Sequence, residues 1–142
     1  MMLAHAATFQ GIVALDHIMG VENQIDLSVM PAAVFTSPEA ASVGLTEDEC
    51  KERGIPVKCL KSFFRANGKA VTMAQTDGFC KLVVDAETGE ILGCHLFGPH
   101  ASDIVQEARA LISRKSTIEQ FKDIIHTHPT LTEVLQSAAH NG

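Results

Sequence analysis

From Met2 to Met19 apolar residues return at Met2, Ala6, Phe9 and Val13. Steps of four, three and four place them on one face of an amphipathic helix. Gly20 stands where a left-handed residue would end that helix, and a polar connector, VENQIDLSVMP, follows. Beyond Pro31 the period shortens. AAVFT and ASVGL are short β-type runs split by SPEA, which has the chemistry of a turn. TEDECKERG opens on Thr46, with Glu49 three residues on, and closes on Gly54. That pattern predicts a short helix with a capping box. IPVKCLKSFF alternates with period two and reads as a strand, and Asn67–Gly68 predicts a turn. GFCKLVVD and EILGCHLFG read as two strands joined across DAETGE by a hairpin, with Gly89 in its turn.

The pattern then becomes helical to the end. SDIVQEARALISRK gathers Ile104, Val105, Ala108, Leu111 and Ile112 on one side, with Arg114 and Lys115 at the end where a helix dipole favours cations. Ser116 and Glu119 are spaced as a capping box for a short helix through Phe121. Thr130 and Glu133 are spaced as another, for a last helix with Leu131, Val134, Leu135 and Ala138 on its apolar side. Strands first and helices afterwards predict an α+β fold, an antiparallel sheet of about five strands covered by helices. The leading helix and linker, residues 1–30, sit outside that plan and suggest attachment to something upstream. Residues 31–142 form the main domain.

Composition narrows the partners. The 142 residues carry a formal net charge of −6, with 46% hydrophobic and 20% charged side chains. That is the balance of a globular chain with a real core. It leaves no basic excess to neutralise phosphates, so neither nucleic acid nor an anionic membrane is expected as a partner. No apolar run approaches the ~20 residues that span a bilayer, and the opening has no basic leader, so a cytoplasmic address is expected. Cys50, Cys59, Cys80 and Cys94 form no CxxC or CxxxxC pair, which encodes neither a redox dithiol nor a zinc knuckle.

The chemistry gathers in IIHTHPTLTEV, Ile124 to Val134. Three readings of it stand. Glu133 could be no more than the return arm of a capping box at Thr130. His126 and His128 could be metal ligands on one side of an extended segment, but no third ligand lies at a diagnostic spacing, and no metal is expected. Or His128 could be an acid–base group whose tautomer a carboxylate fixes, since imidazole changes charge near neutral pH.

A family resemblance bears on that choice. VFTSPEAASVGLTEDEC, TDGFCKLVVDAETGEILGCHLFGPHASDIVQEARALI and IIHTHPTLTEVL resemble the C-terminal dimerisation domain of the pyridine nucleotide–disulfide oxidoreductases. The HPTLTE ending is most similar to the dihydrolipoamide dehydrogenase branch. MLAHAATFQG resembles the helix of the flavin domain that precedes this module. The resemblance implies FAD and NAD as cofactors of a full-length homodimer that oxidises a lipoamide-bearing protein or another dithiol. It implies that His128 exchanges protons with the redox disulfide of the partner subunit and that Glu133 orients it. It places Leu3, Ala4 and His5 near the flavin of the whole enzyme, and makes His126, Pro129 and Thr130 neighbours that shape the site. Neither a dinucleotide-binding glycine fingerprint nor the redox cysteine pair is present, so this chain by itself is expected to hold no cofactor tightly and not to turn over. The alternative is a free-standing dimerisation or interaction module without catalysis.

Overall fold

Alternating apolar positions dictate the sheet. In a computed structural model that describes residues 2–141, five antiparallel strands lie in the order β1-β2-β5-β4-β3. They are β1 (Ala32–Val34), β2 (Glu39–Gly44), β3 (Val57–Phe63), β4 (Phe79–Asp85) and β5 (Ile91–Gly98). Met1 and Gly142, the outer ends of the two segments expected from the sequence, lie outside the described residues. Helix α1 (Ala4–Met19) precedes the sheet, while α2 (Glu47–Glu52) and α3 (Gly68–Thr72) are set between strands. Helices α4 (Ala101–Ser113), α5 (Ile118–Lys122) and α6 (Glu133–His140) follow it. The α+β expectation and its antiparallel sheet hold.

One sheet face carries Val43, Leu60, Cys80, Leu82, Cys94 and Leu96, all buried. Helix α4 lies over β2 and β5, and α6 over β3 and β4. From α4 come Ile104, Val105, Ala108 and Ile112; from α6 come Val134, Leu135, Ala138 and Ala139. Burying this many aliphatic side chains at roughly 1.5–3 kcal/mol each is what closes the two layers on one another. On the opposite face Phe63, Phe79 and Phe97 stand in register across β3, β4 and β5 and remain partly exposed. The Arg65 guanidinium lies 4.6 Å from the Phe63 ring centroid.

Local chemistry ends each element where the fold needs it. Gly20 terminates α1 at φ 69°. Thr46 and Glu49 form the expected capping box of α2. Asp85 Oδ1 accepts from the Glu87 and Thr88 amides, and Gly89 at φ 76° completes the β4–β5 hairpin.

Three expectations are corrected. Asn67–Gly68 is no simple turn: Asn67 is the N-cap of α3, its Oδ1 accepting from Ala70 N at 3.0 Å. The box before α5 is Thr117 with Gln120, one residue later than Ser116 with Glu119. Ser116 is engaged through its carbonyl, which accepts from Ile91 N at 3.0 Å and fixes where the chain leaves the sheet. In α1 Ala6 is buried and Val13 half-buried, with the N-cap Leu3 half-buried before it, while Met2 and Phe9 are exposed.

Candidate functional site

The segment between α5 and α6 leaves the domain as a tight excursion from Ile124 to Thr132, and its backbone is held at each turn. Thr130 Oγ1 donates to Thr127 O at 2.8 Å. Asn67 Nδ2 donates to Thr130 O at 3.0 Å. Asn67 is itself buried and fixed by its cap on α3, so the loop is anchored to the corner after β3. The first turn of α6 is anchored by Ser62, whose buried hydroxyl donates to Val134 O at 2.6 Å. The His128–Pro129 peptide bond is cis.

Out of this loop projects His128, its side chain 77% exposed. Nδ1 lies 2.8 Å from Glu133 Oε1. A carboxylate only accepts, so Nδ1 carries the proton, and in the neutral ring Nε2 is left as a lone pair facing outward. The other oxygen of the same carboxylate, Oε2, accepts from Thr130 N at 2.7 Å. Half of the expected capping box is therefore present. The other half is not, because the Thr130 hydroxyl donates within the loop and the N-cap of α6 is Thr132. One carboxylate serves the helix entrance with one oxygen and the imidazole with the other. The Thr130 amide is the main influence holding the Glu133 carboxyl below its ordinary range, and the contact with His128 lowers it further. Glu133 is thus held as a carboxylate facing the imidazole at neutral pH.

His126 points inward, its side chain 5% exposed, with Nε2 2.9 Å from Glu107 Oε1 on α4. Among the described residues no three His, Cys, Asp or Glu side chains gather as metal ligands would. All four cysteines are free thiols. A hydrogen bond between the Cys80 and Cys94 thiols, together with burial, pushes the Cys80 thiol far up. Burial raises Cys50 and Cys59 as well.

Leu3, Ala4 and His5 fall elsewhere. They line a cleft of about 830 Å³ between α1, the connector, β1 and α4, with Pro31, Val105 and Arg109. A ring nitrogen of His5 donates to Pro31 O at 2.8 Å, which ties α1 to the connector. None of His126, His128 or Glu133 lines that cleft. Asn67, Ser62 and Glu107 contact this loop or the helix after it, a part that sequence reading gave to none of them. A buried asparagine or serine in a strand-to-helix corner has no spacing signature, and each finds its partner 19 to 72 positions away.

Comparison with known proteins identifies relatives of this fold. The family profile described as "Pyridine nucleotide-disulphide oxidoreductase, dimerisation domain" matches residues 30–139. Dihydrolipoyl dehydrogenase of Synechocystis sp. is 45% identical over 142 residues, covering 97% of this chain and 30% of that protein. A dihydrolipoyl dehydrogenase of Bacillus subtilis is 44% identical over 138 residues, covering 96% and 29%. Among solved structures, LpdA from Mycobacterium tuberculosis superposes with a TM-score of 0.89 at 26% identity, over 97% of this chain and 30% of that one. The chain thus spans about 30% of the length of the relatives it matches.

Proposed function

This chain belongs to the pyridine nucleotide-disulphide oxidoreductase family through its dimerisation domain, and from that premise we propose that His128 and Glu133 form the proton-handling pair of a dihydrolipoyl dehydrogenase. The observation that carries the proposal is the 2.8 Å contact from Nδ1 to Glu133, which leaves Nε2 of a 77% exposed ring as a base facing outward. Nε2 takes the proton of a substrate thiol and leaves a thiolate, the form that attacks a disulfide. The Glu133 carboxylate stabilises the imidazolium so formed. In the reverse direction the same nitrogen gives the proton back. Exposure of the ring suits a task performed on another surface, that of a partner subunit in a homodimer, with a lipoamide-bearing protein or other dithiol as substrate. A cytoplasmic address goes with this reading.

FAD and NAD are the cofactors of the proposed whole enzyme. The cleft beside Leu3, Ala4 and His5 has an apolar wall and a volume of about 830 Å³, so these residues fit the edge of a flavin site, and residues 1–30 fit the end of a flavin domain. When bound, the flavin would pass an electron pair between nicotinamide and disulfide; the part of this chain is the proton. The test is His128→Gln in the flavoprotein carrying this chain. A fall in dithiol turnover of about 10² to 10⁴, with flavin content unchanged, is expected. Normal turnover would reduce the chain to a dimerisation module.

A further inference from the structure

The proton transfer at His128 leaves a second histidine unused. His126 stands two residues earlier and faces the other way, nearly sealed from solvent. Its ring lies edge-on to the fully buried Phe121, with centroids 5.4 Å apart. Nδ1 is 3.0 Å from Ile124 O, and Nε2 is 2.9 Å from Glu107 Oε1. Glu107 belongs to α4, the helix seated on β2 and β5, so the contact joins the exposed loop to the rigid layer of the domain.

The donors on this ring can be counted. A carbonyl oxygen only accepts, and a neutral imidazole has a single N–H. With an acceptor at each nitrogen, ring and carboxyl must share one proton more than a neutral ring beside a carboxylate would hold. That proton sits on Nε2 or on Glu107. From α5 the neighbour is apolar Phe121; Glu107 on α4 and Glu133 on α6 are the charged groups whose fields reach the ring. His126 is the buried member and Glu107 is partly exposed, so loss of the contact would leave a ring nitrogen unpaired indoors, which resists separation.

We propose that Glu107 is a positioning residue that clamps His126 as a proton-sharing pair and thereby sets the direction in which His128 leaves the loop. Only Thr127 separates the two histidines, and its carbonyl is held by Thr130, so the stretch between them has little slack. The catalytic meaning of the clamp rests on the reading of His128 given above; the clamp itself does not.

Nitrogen-15 NMR of the imidazoles in the 142-residue chain at neutral pH tests it without any turnover. The unaltered chain is expected to show the extra proton, either as two His126 N–H signals or as one with a protonated Glu107 carboxyl. Glu107→Gln can donate to Nε2 from its amide, so His126 should drop to one N–H while the His128 signals stay in place. Glu107→Ala should remove the tether, and exchange of the His128 Nδ1 proton with water should rise by about tenfold, the scale of one lost charge-assisted hydrogen bond. Should Glu107→Ala fail to fold, Glu107→Met keeps the packing volume and carries the same expectation. A neutral His126 beside an ionised Glu107, or His128 Nδ1 exchange unchanged in Glu107→Ala and Glu107→Met, would overturn the proposal. A clamp that holds while His128→Gln leaves turnover normal would sink only the catalytic assignment.

Discussion

Glu133 holds two groups with two oxygens, and the right substitutions separate its tasks. In Glu133→Gln the amide oxygen can still accept from Thr130 N, while the amide nitrogen must donate to His128 Nδ1. The ring is then forced into the tautomer with its proton on Nε2, and the outward nitrogen ceases to be a base. Glu133→Gln keeps both contacts without the charge and is expected to unfold within about 1 kcal/mol of the unaltered chain. Turnover of the flavoprotein should fall by about 10² or more. Glu133→Ala should lose both. Equal loss of stability in the two variants, with rate untouched, would return Glu133 to a purely structural part. Asn67→Ala removes the α3 cap and the anchor on Thr130 together, and should cost roughly 2 kcal/mol in denaturant unfolding.

At the level of elements, boundaries follow from which backbone groups are already spoken for. Because the Ser116 carbonyl is committed to Ile91, the cap of α5 falls to the next residue. Thr117→Ala is thus expected to cost about 1 kcal/mol and Ser116→Ala next to nothing; chemical denaturation of the pair decides between the two caps. The β2–β5 crossing has its own constraint. A Cβ on Gly93 would stand 2.0 Å from Leu45 O, and one on Gly98 would stand 2.2 Å from the Phe64 ring. Glycine is required at both for close approach, and alanine at either should lower the melting temperature by several degrees.

Among the described residues, the molecule leaves two apolar surfaces open. Phe9, Ile12, Leu15, Ile18 and Met19 of α1 are exposed, as is the row of phenylalanines on the second sheet face. Since Ala6 is the one residue of α1 that the domain buries, removal of residues 1–20 should leave cooperative thermal unfolding in place. Loss of the transition would mean that α1 is integral to the domain. Acid should act on the whole chain in one direction. Hydrogen bonds, chiefly from backbone amides or a nearby serine, hold Asp26, Glu49, Asp85 and Glu133 below their ordinary carboxyl values. A carboxyl lowered by folding stabilises the native state above its unfolded value and loses that contribution as pH falls through the folded one. Burial lowers the proton affinity of His95 too, so stability should begin to fall as pH drops below the ordinary histidine range and fall further below about pH 4.5 as these carboxyls are protonated, as calorimetry across that range would show.

Period and punctuation determined much of this. Two-residue alternation specified the strands, 3.6-residue spacing gave α4 and α6 their buried sides, and Gly20, Gly89 and the Thr46–Glu49 box closed elements through interactions among near neighbours. Spacing left the His128–Glu133 contact as one of three open readings, and only the family resemblance favoured it. Tertiary structure alone decided what distant residues do to one another. It turned Asn67 from a turn residue into the anchor of Thr130, moved the α5 cap through the Ser116–Ile91 bond, and faced His126 inward to Glu107 while His128 faced out. Those outcomes depend on which groups meet across the packed layers, and no spacing within a segment encodes them.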